Sequence, residues 1–269
     1  MKRVHVLEFE DLAWFPSWLR TCMTNLLAAL CRVLGVPAVL GALVTRVVRQ
    51  EGIDAIVDLG SGSGGSLPQL LAELRKAPAT AHLTLTMTDL YPNLDAVEAF
   101  NSDDASHIRY RRESVDATEM STAPAGLKTM VNCFHHMRPE QARAILRSAE
   151  TSGQPLLVYE MGDHMVPFAG WVVMLPITLP VLFMTALVLT PLVRPLTARQ
   201  LIFTYLVPLI PLFYAWDGQA SMARIYAPAD LDELLEGMGS EHYRWEKGPA
   251  LKGNGKALGN YLLGLPIRG

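Results

Sequence analysis

The chain has 269 residues, 50% hydrophobic and 18% charged, with a formal net charge of -3 and a mean hydropathy of +0.21. The length suits one large domain or one domain carrying an insertion, and the acidic balance excludes an electrostatic nucleic-acid binder, which needs a basic face. Soluble proteins carry about 25% charged residues, so the apolar excess has to be located along the chain.

The first residues, MKRVHVLEFEDLAWF, pass from a short basic start into acids with no apolar core, and do not read as a signal peptide. Cys22, Cys31 and Cys133 are far apart and form no C-x-x-C. That argues against a disulfide framework or a zinc site and fits a reducing compartment. Residues 9–50 show apolar positions at helical spacing, with Pro37 as the expected break. Arg32 divides the apolar stretch, so the region reads as a packed helical lead-in rather than an anchor. Trp14, Phe15 and Trp18 either pack in the core or cover an apolar acceptor.

From residue 53 strands and helices alternate. IDAIVDLG is strand one, HLTLTMTDL strand two, IRYRRESVDAT strand three, LKTMVNCF strand four and PLLVYEM strand five, with amphipathic helices between most of them. This rhythm predicts a parallel sheet covered on both faces. Residues 165–193 then carry no charge, and after RPLTAR a second uncharged run, QLIFTYLVPLIPLFYAW, follows. A bilayer needs about 20 apolar residues per span. Both flanks belong to the sheet and must lie on one side of any membrane. Arg194 and Arg199 in the distant turn run against the positive-inside bias for a full crossing, and Pro176, Pro180, Pro208 and Pro211 shorten uninterrupted helix. Three readings follow: a helical hairpin dipping into or crossing the bilayer, a lid of buried helices or a dimer interface, and an interfacial pair lying on the surface. A helix over APADLDELLEGM and two strands, YRWEKGPA and ALGNYLLGLPI, joined by a glycine-rich turn, complete the chain.

The strand-to-helix turn IVDLGSGSGG matches G-x-G-x-x-G through Gly60, Gly62 and Gly65. By itself the pattern admits a nicotinamide dinucleotide. Asp58 beside it repels a pyrophosphate and attracts a sulfonium or ammonium. Asp89, ending strand two, can accept from two ribose hydroxyls, and Asp116, ending strand three, from an adenine amino group. VDLGSGSGG, MTDLYPN, VDAT and NCFHHM, in that order, resemble the motifs of class I S-adenosylmethionine-dependent methyltransferases, over roughly residues 50–160 and 226–267. The resemblance implies an α/β, doubly wound, seven-stranded mostly parallel sheet (Rossmann-like methyltransferase) with the last strand antiparallel between strands five and six. N-terminal helices and an apolar helical insertion are added to it. It also implies S-adenosyl-L-methionine as cofactor. Gly60, Gly62 and Gly64 border its amino-acid end, Asp89 binds its ribose, Asp116 and Ala117 lie at the adenine, and Asn132 sits at the mouth of strand four. Ser61 and Leu90 complete the cofactor set with Asp58.

The domain reading is a lead-in or lid over 1–50, a cofactor-binding part over 51–164, a membrane-associated insertion over 165–216 and a second catalytic part over 217–269. His135, His136 and Glu160, at the sheet edge where ligands bind in such folds, are candidate general bases. Adjacent residues of a strand point to opposite faces, so no metal site is expected of the two histidines. Asp217, Ser221 and Arg224 either line the site or form a structural salt link. The function read here is methyl transfer to a hydrophobic or lipid-like acceptor at the cytoplasmic side of a membrane. A nicotinamide-dependent oxidoreductase and a membrane-tethered binding protein without turnover are the alternatives; no nucleic-acid partner is expected.

Overall fold

Five short apolar runs become the parallel core. The computed structural model describes residues 1–162 and 166–267. Its strands are β1 (Ala55–Leu59), β2 (Thr84–Thr88), β3 (Ile108–Tyr110), β4 (Leu127–Val131), β5 (Leu156–Glu160), β6 (Tyr243–Leu251) and β7 (Ala257–Pro266). They form one seven-stranded sheet in the order β3-β2-β1-β4-β5-β7-β6. β1 to β5 pair in parallel, while β7 runs antiparallel between β5 and β6. β5 is buried at every position, which is why its sequence, LLVYE, shows no polar alternation. Strand three is shorter than expected: pairing stops at Tyr110, and Asp116 lies beyond it.

Helices α3 (Leu67–Leu74), α4 (Leu94–Asn101), α5 (Pro139–Thr151) and α9 (Pro228–Leu234) connect the strands. α1 (Ser17–Leu34) and α2 (Val36–Glu51) make the lead-in, which starts as helix later than expected. The two meet at a 77° bend. Gly35, at φ 85°, closes α1 there, and Pro37 sits harmlessly in the first turn of α2. α2 packs into the core with α3, whereas α1 crosses the sheet's C-terminal edge. The Thr21 and Ser63 hydroxyls bond at 3.0 Å at the turn after β1, and Cys31 reaches the Asn132 amide and Met161 past β4 and β5.

The insertion is α6 (Phe168–Leu189), α7 (Ala198–Leu201) running into a wide π turn (Ile202–Leu206), and α8 (Leu209–Arg224). The expected boundary between 164 and 165 lies outside the described residues. The one between 216 and 217 falls inside α8, which runs on to Arg224. Pro176 and Pro180 do not interrupt α6. Pro208 does divide the second run, by 83°; Val207 before it leaves the helical region at φ −127°, ψ 85°. The second run is therefore not one continuous helix.

α6 packs along α8 and α1. The Trp171 indole donates to the Gln219 carbonyl at one end, and Ala186 and Leu189 join Leu19, Cys22 and Leu26 at the other. Its opposite face is bare: Val173 is 76% and Val188 69% exposed. Phe15 is buried with Phe213, Trp18 packs on Phe203, and Trp14 stands in solvent, so this aromatic group is core packing with one exposed member.

Candidate active site

The loops that follow β1 to β5 gather at one edge. In the turn after β1, Gly60, Gly62, Gly64 and Gly65 all take positive φ. Gly64 is the tightest, at φ 98°, where a Cβ would come within 2.7 Å of the Phe100 ring. The turn hangs from β2: the Gly60 and Ser61 amides donate to the Thr88 carbonyl at 3.0 and 2.9 Å. The Tyr110 hydroxyl donates to the Gly62 carbonyl at 2.8 Å.

Asp58 lies buried beneath this turn. Its carboxyl meets the hydroxyls of Ser61 and Thr129, each at 2.7 Å. Burial pushes its pKa up to about 7, against those hydrogen bonds. The sequence reading sets this group against a cationic ligand; in the fold both oxygens turn inward, and Asp58 braces the turn against β4. Asp89, just past β2, faces the turn instead. Its Oδ2 accepts from the Gly62 amide and its Oδ1 from the Tyr91 amide, both at 2.8 Å. Burial raises its pKa. Each oxygen keeps a lone pair for a further donor.

Leu90 is exposed beside it. The Val115 amide donates to the Asp89 carbonyl at 2.9 Å, which draws Asp116 and Ala117 alongside. Asp116 does not end a strand: its Oδ1 accepts from the Thr118 amide and hydroxyl, capping a 3-10 turn over Ala117–Thr122. Asn132, at φ 53°, ties β4 to β5, since its Oδ1 accepts from the Met161 amide and its own amide donates to the Tyr159 carbonyl, both at 2.8 Å. The glycine turn, Asp89, the Asp116–Ala117 segment and Asn132 thus line one stretch of edge.

A second polar centre adjoins it. His135 and His136 lie on a 3-10 turn (Phe134–His136), not on β4. Strand alternation therefore does not separate them, and their rings are 4.3 Å apart. Glu160 accepts from the His135 amide at 3.0 Å and pairs with its Nδ1 at 2.8 Å. An ionised carboxylate only accepts, so Nδ1 carries a proton, and in the neutral ring the lone pair is on Nε2. His136 Nδ1 stands 2.8 Å from Asp11 and 3.1 Å from Glu8. Burial opposes charge on His136, but Glu8, Asp11 and Glu10 outweigh it and push its pKa up to about 10.

The acids come from an N-terminal strap, residues 1–11, laid over the turn. Arg3 donates to the His135 and Arg224 carbonyls at 2.7 and 2.5 Å. Arg224, 1% exposed, pairs with Asp11 at 2.5 Å and Glu8 at 3.2 Å. Asp217 accepts from the Phe9 and Glu10 amides at 2.8 and 3.1 Å. Asp217 and Arg224 therefore clamp the strap, while the Ser221 hydroxyl bonds only to the Asp217 carbonyl one turn back in α8. Sequence reasoning missed Arg3, Glu8, Glu10, Asp11, Tyr110 and Thr129; the one available signal was three acids within four positions, Glu8 to Asp11. The His136 charge reaches Asp89, so the two centres share one edge.

No protein-family model matches the sequence, and no curated protein does. Solved structures do match. The plantazolicin methyltransferase BpumL in complex with SAH aligns over 97% of this chain and 88% of that one, at 10% identity and a TM-score of 0.50. The O-methyltransferase NcsB1 from neocarzinostatin biosynthesis, in complex with S-adenosylmethionine and 2-hydroxy-5-methyl naphthoic acid, aligns over 85% of this chain and 57% of that one, at 15% identity and 0.43. The mitomycin 7-O-methyltransferase MmcR aligns over 80% and 50%, at 17% identity and 0.44. This chain thus spans little more than half the length of the last two. Together with the reversed β7 between β5 and β6, the BpumL alignment identifies the architecture: the chain has the class I S-adenosylmethionine-dependent methyltransferase fold.

Proposed function

We propose that this protein is an S-adenosylmethionine-dependent methyltransferase that acts on a hydrophobic, lipid-like acceptor at the cytoplasmic face of a membrane. The observation that carries the cofactor is Asp89: a half-open carboxylate, hydrogen-bonded to the glycine turn and still able to accept from two vicinal hydroxyls. The turn fits the same ligand, because its positive-φ glycines leave the backbone bare. Asp89 would hold the ribose, Asp116 and Ala117 the adenine side, and Gly60, Gly62 and Asn132 the amino-acid end. Bound there, the cofactor supplies an electrophilic methyl group on a sulfonium. The chain's own task is to orient the acceptor and exclude water. His135 is the best placed of the three candidate bases, since Glu160 leaves its Nε2 lone pair free. Glu160 holds that ring, and His136 contributes positive charge.

The membrane reading rests on α6. Eight of its large apolar side chains, from Phe168 to Val188, stand in solvent. At about 1.5–3 kcal/mol for each fully buried side chain, covering them is worth on the order of 10 kcal/mol, far beyond scattered surface exposure. The helix is long and apolar enough to cross a bilayer, yet only 11% of its apolar window is buried. One end is tied to α8 through Trp171 and the other to α1 through Ala186 and Leu189, so α6 stays against the enzyme body along its length. This favours a helix lying in the lipid interface over a crossing hairpin. Arg194 and Arg199 then meet anionic headgroups on the same side as the enzyme body.

Calorimetry with S-adenosylmethionine on detergent-purified protein tests the cofactor. Binding is expected, and Asp89→Ala should weaken it about 100-fold or more, since hydrogen bonds to a charged group contribute about 1.5–3 kcal/mol each. No binding by the wild type sinks the proposal. Incubating lipid extracts with methyl-labelled cofactor identifies the acceptor.

A further inference from the structure

We propose that Glu8, His135 and His136 form a binding site for a divalent transition-metal ion, which staples the N-terminal strap to the turn after β4. The inference does not require methyl transfer, but an ion on His135 Nε2 would take up the lone pair that the methyltransferase reading assigns to a base. One ligand atom from each of the three residues lies within 4.8 Å of the other two. A metal with bonds of about 2.0–2.2 Å holds tetrahedral ligand atoms roughly 3.4 Å apart, so side-chain rotation of an ångström or so closes the set.

Two groups point into this space without a hydrogen bond among the described residues. His135 is 5% exposed, and its Nε2 has no hydrogen-bond partner. Its Nδ1 is held by Glu160, the carboxylate–imidazole arrangement that orients histidine ligands in metal sites. Glu8 is fully buried, and neither of its oxygens accepts a hydrogen bond. Its Oε2 is 3.1 Å from His136 Nδ1 and 3.2 Å from Arg224, but without hydrogen-bond alignment. A buried carboxylate left in that state is costly.

The surrounding charge favours a cation. Glu160 lies against the His135 ring, and Glu8 and Asp11 against the His136 ring. Two imidazoles and one carboxylate suit zinc, iron(II), cobalt(II) or manganese(II); calcium and magnesium prefer oxygen-only sets. Glu8 and His135 are 127 positions apart, so the ion would clamp the strap across the sheet edge.

The test uses tag-free, full-length protein in detergent, stripped with a chelator and titrated with cobalt(II). Stoichiometric uptake with visible d–d bands and a raised thermal midpoint are expected. Glu8→Gln and His135→Gln should each weaken uptake at least tenfold. Glu160→Gln, a change to a positioning residue, should weaken it roughly 10- to 100-fold. His82→Gln, at the exposed start of β2, should change nothing. The idea is overturned if folded wild-type protein takes up neither cobalt, zinc nor manganese stoichiometrically, or if folded Glu8→Gln and His135→Gln bind as well as wild type. The wild-type titration needs no variant to fold. Calorimetry with S-adenosylmethionine on the metal-free protein reports separately on the methyltransferase reading, so failure of either stands apart.

Discussion

On the β1–β3 side of the sheet edge, polar groups meet partners that are near in sequence. Gly62 finds Asp89 across 27 positions, and Thr88 finds Asp58 across 30. On the β4–β5 side, Arg3 reaches His135 across 132 positions and Arg224 reaches Asp11 across 213. The first side is a strand–turn–helix device whose parts arrive together. The second is assembled only when the two ends of the chain close over the sheet. The contrast teaches how each part is encoded: the glycine turn locally, the charged centre around the histidines by tertiary closure.

Breaking the second side should cost most. Arg224→Met leaves Glu8 and Asp11 without their buried cation, and removing one partner of a buried pair costs about 3–5 kcal/mol. A corresponding fall in the denaturant midpoint is expected, while Asp89 and its turn stay intact. Equal loss of cofactor binding and stability would show that the two sides are one unit.

The first side is probed through Asp58. Its carboxyl has a pKa of about 7 in the fold against an ordinary 3.8. Between those values the folded state keeps a proton that the unfolded chain releases, so the contribution is complete below about pH 4 and is lost as pH rises to 7. The expected loss is up to about 4 kcal/mol. Asp217, also raised to about 7 by burial, acts in the same direction. Unfolding measured from pH 4 to 8 should show the decline, and Asp58→Asn should make it shallower, leaving the Asp217 part; an unchanged slope contradicts a buried, raised Asp58.

Smaller still is Gly64→Ala. A side chain at φ 98° beside the Phe100 ring should cost about 1–3 kcal/mol, read as a lower thermal midpoint together with weaker cofactor binding. Smallest for the fold is Val173→Glu with Ile177→Glu. Both positions are exposed, so stability should shift by less than about 0.5 kcal/mol, while flotation with anionic vesicles should fall sharply. Unchanged flotation would remove α6 from the membrane.

Much of this was legible in the amino-acid order. Period-two and continuous apolar runs marked all seven strands, because a sheet covered on both faces admits little else at those positions. The turn from Gly60 to Gly65 and the acid after β2 were marked as well, because a backbone at positive φ there needs glycine. Three things were not legible: that β3 stops at Tyr110 and leaves Asp116 as a cap, that His135 and His136 share a 3-10 turn, and that Asp58 turns inward. The last two depend on partners supplied from elsewhere, Glu160 for His135 and Thr129 for Asp58, and the first on a short local cap between Asp116 and Thr118.

The sequence by itself determined the strand set, the glycine turn and the apolar excess of 165–216, since backbone conformation and hydropathy are properties of short windows. Only the tertiary structure decided that α6 packs on α8 and α1, that α8 runs unbroken through residue 217, and that a strap of acids closes over the histidines. Those outcomes depend on contacts between residues one to two hundred positions apart, where no local pattern specifies which buried charge meets which.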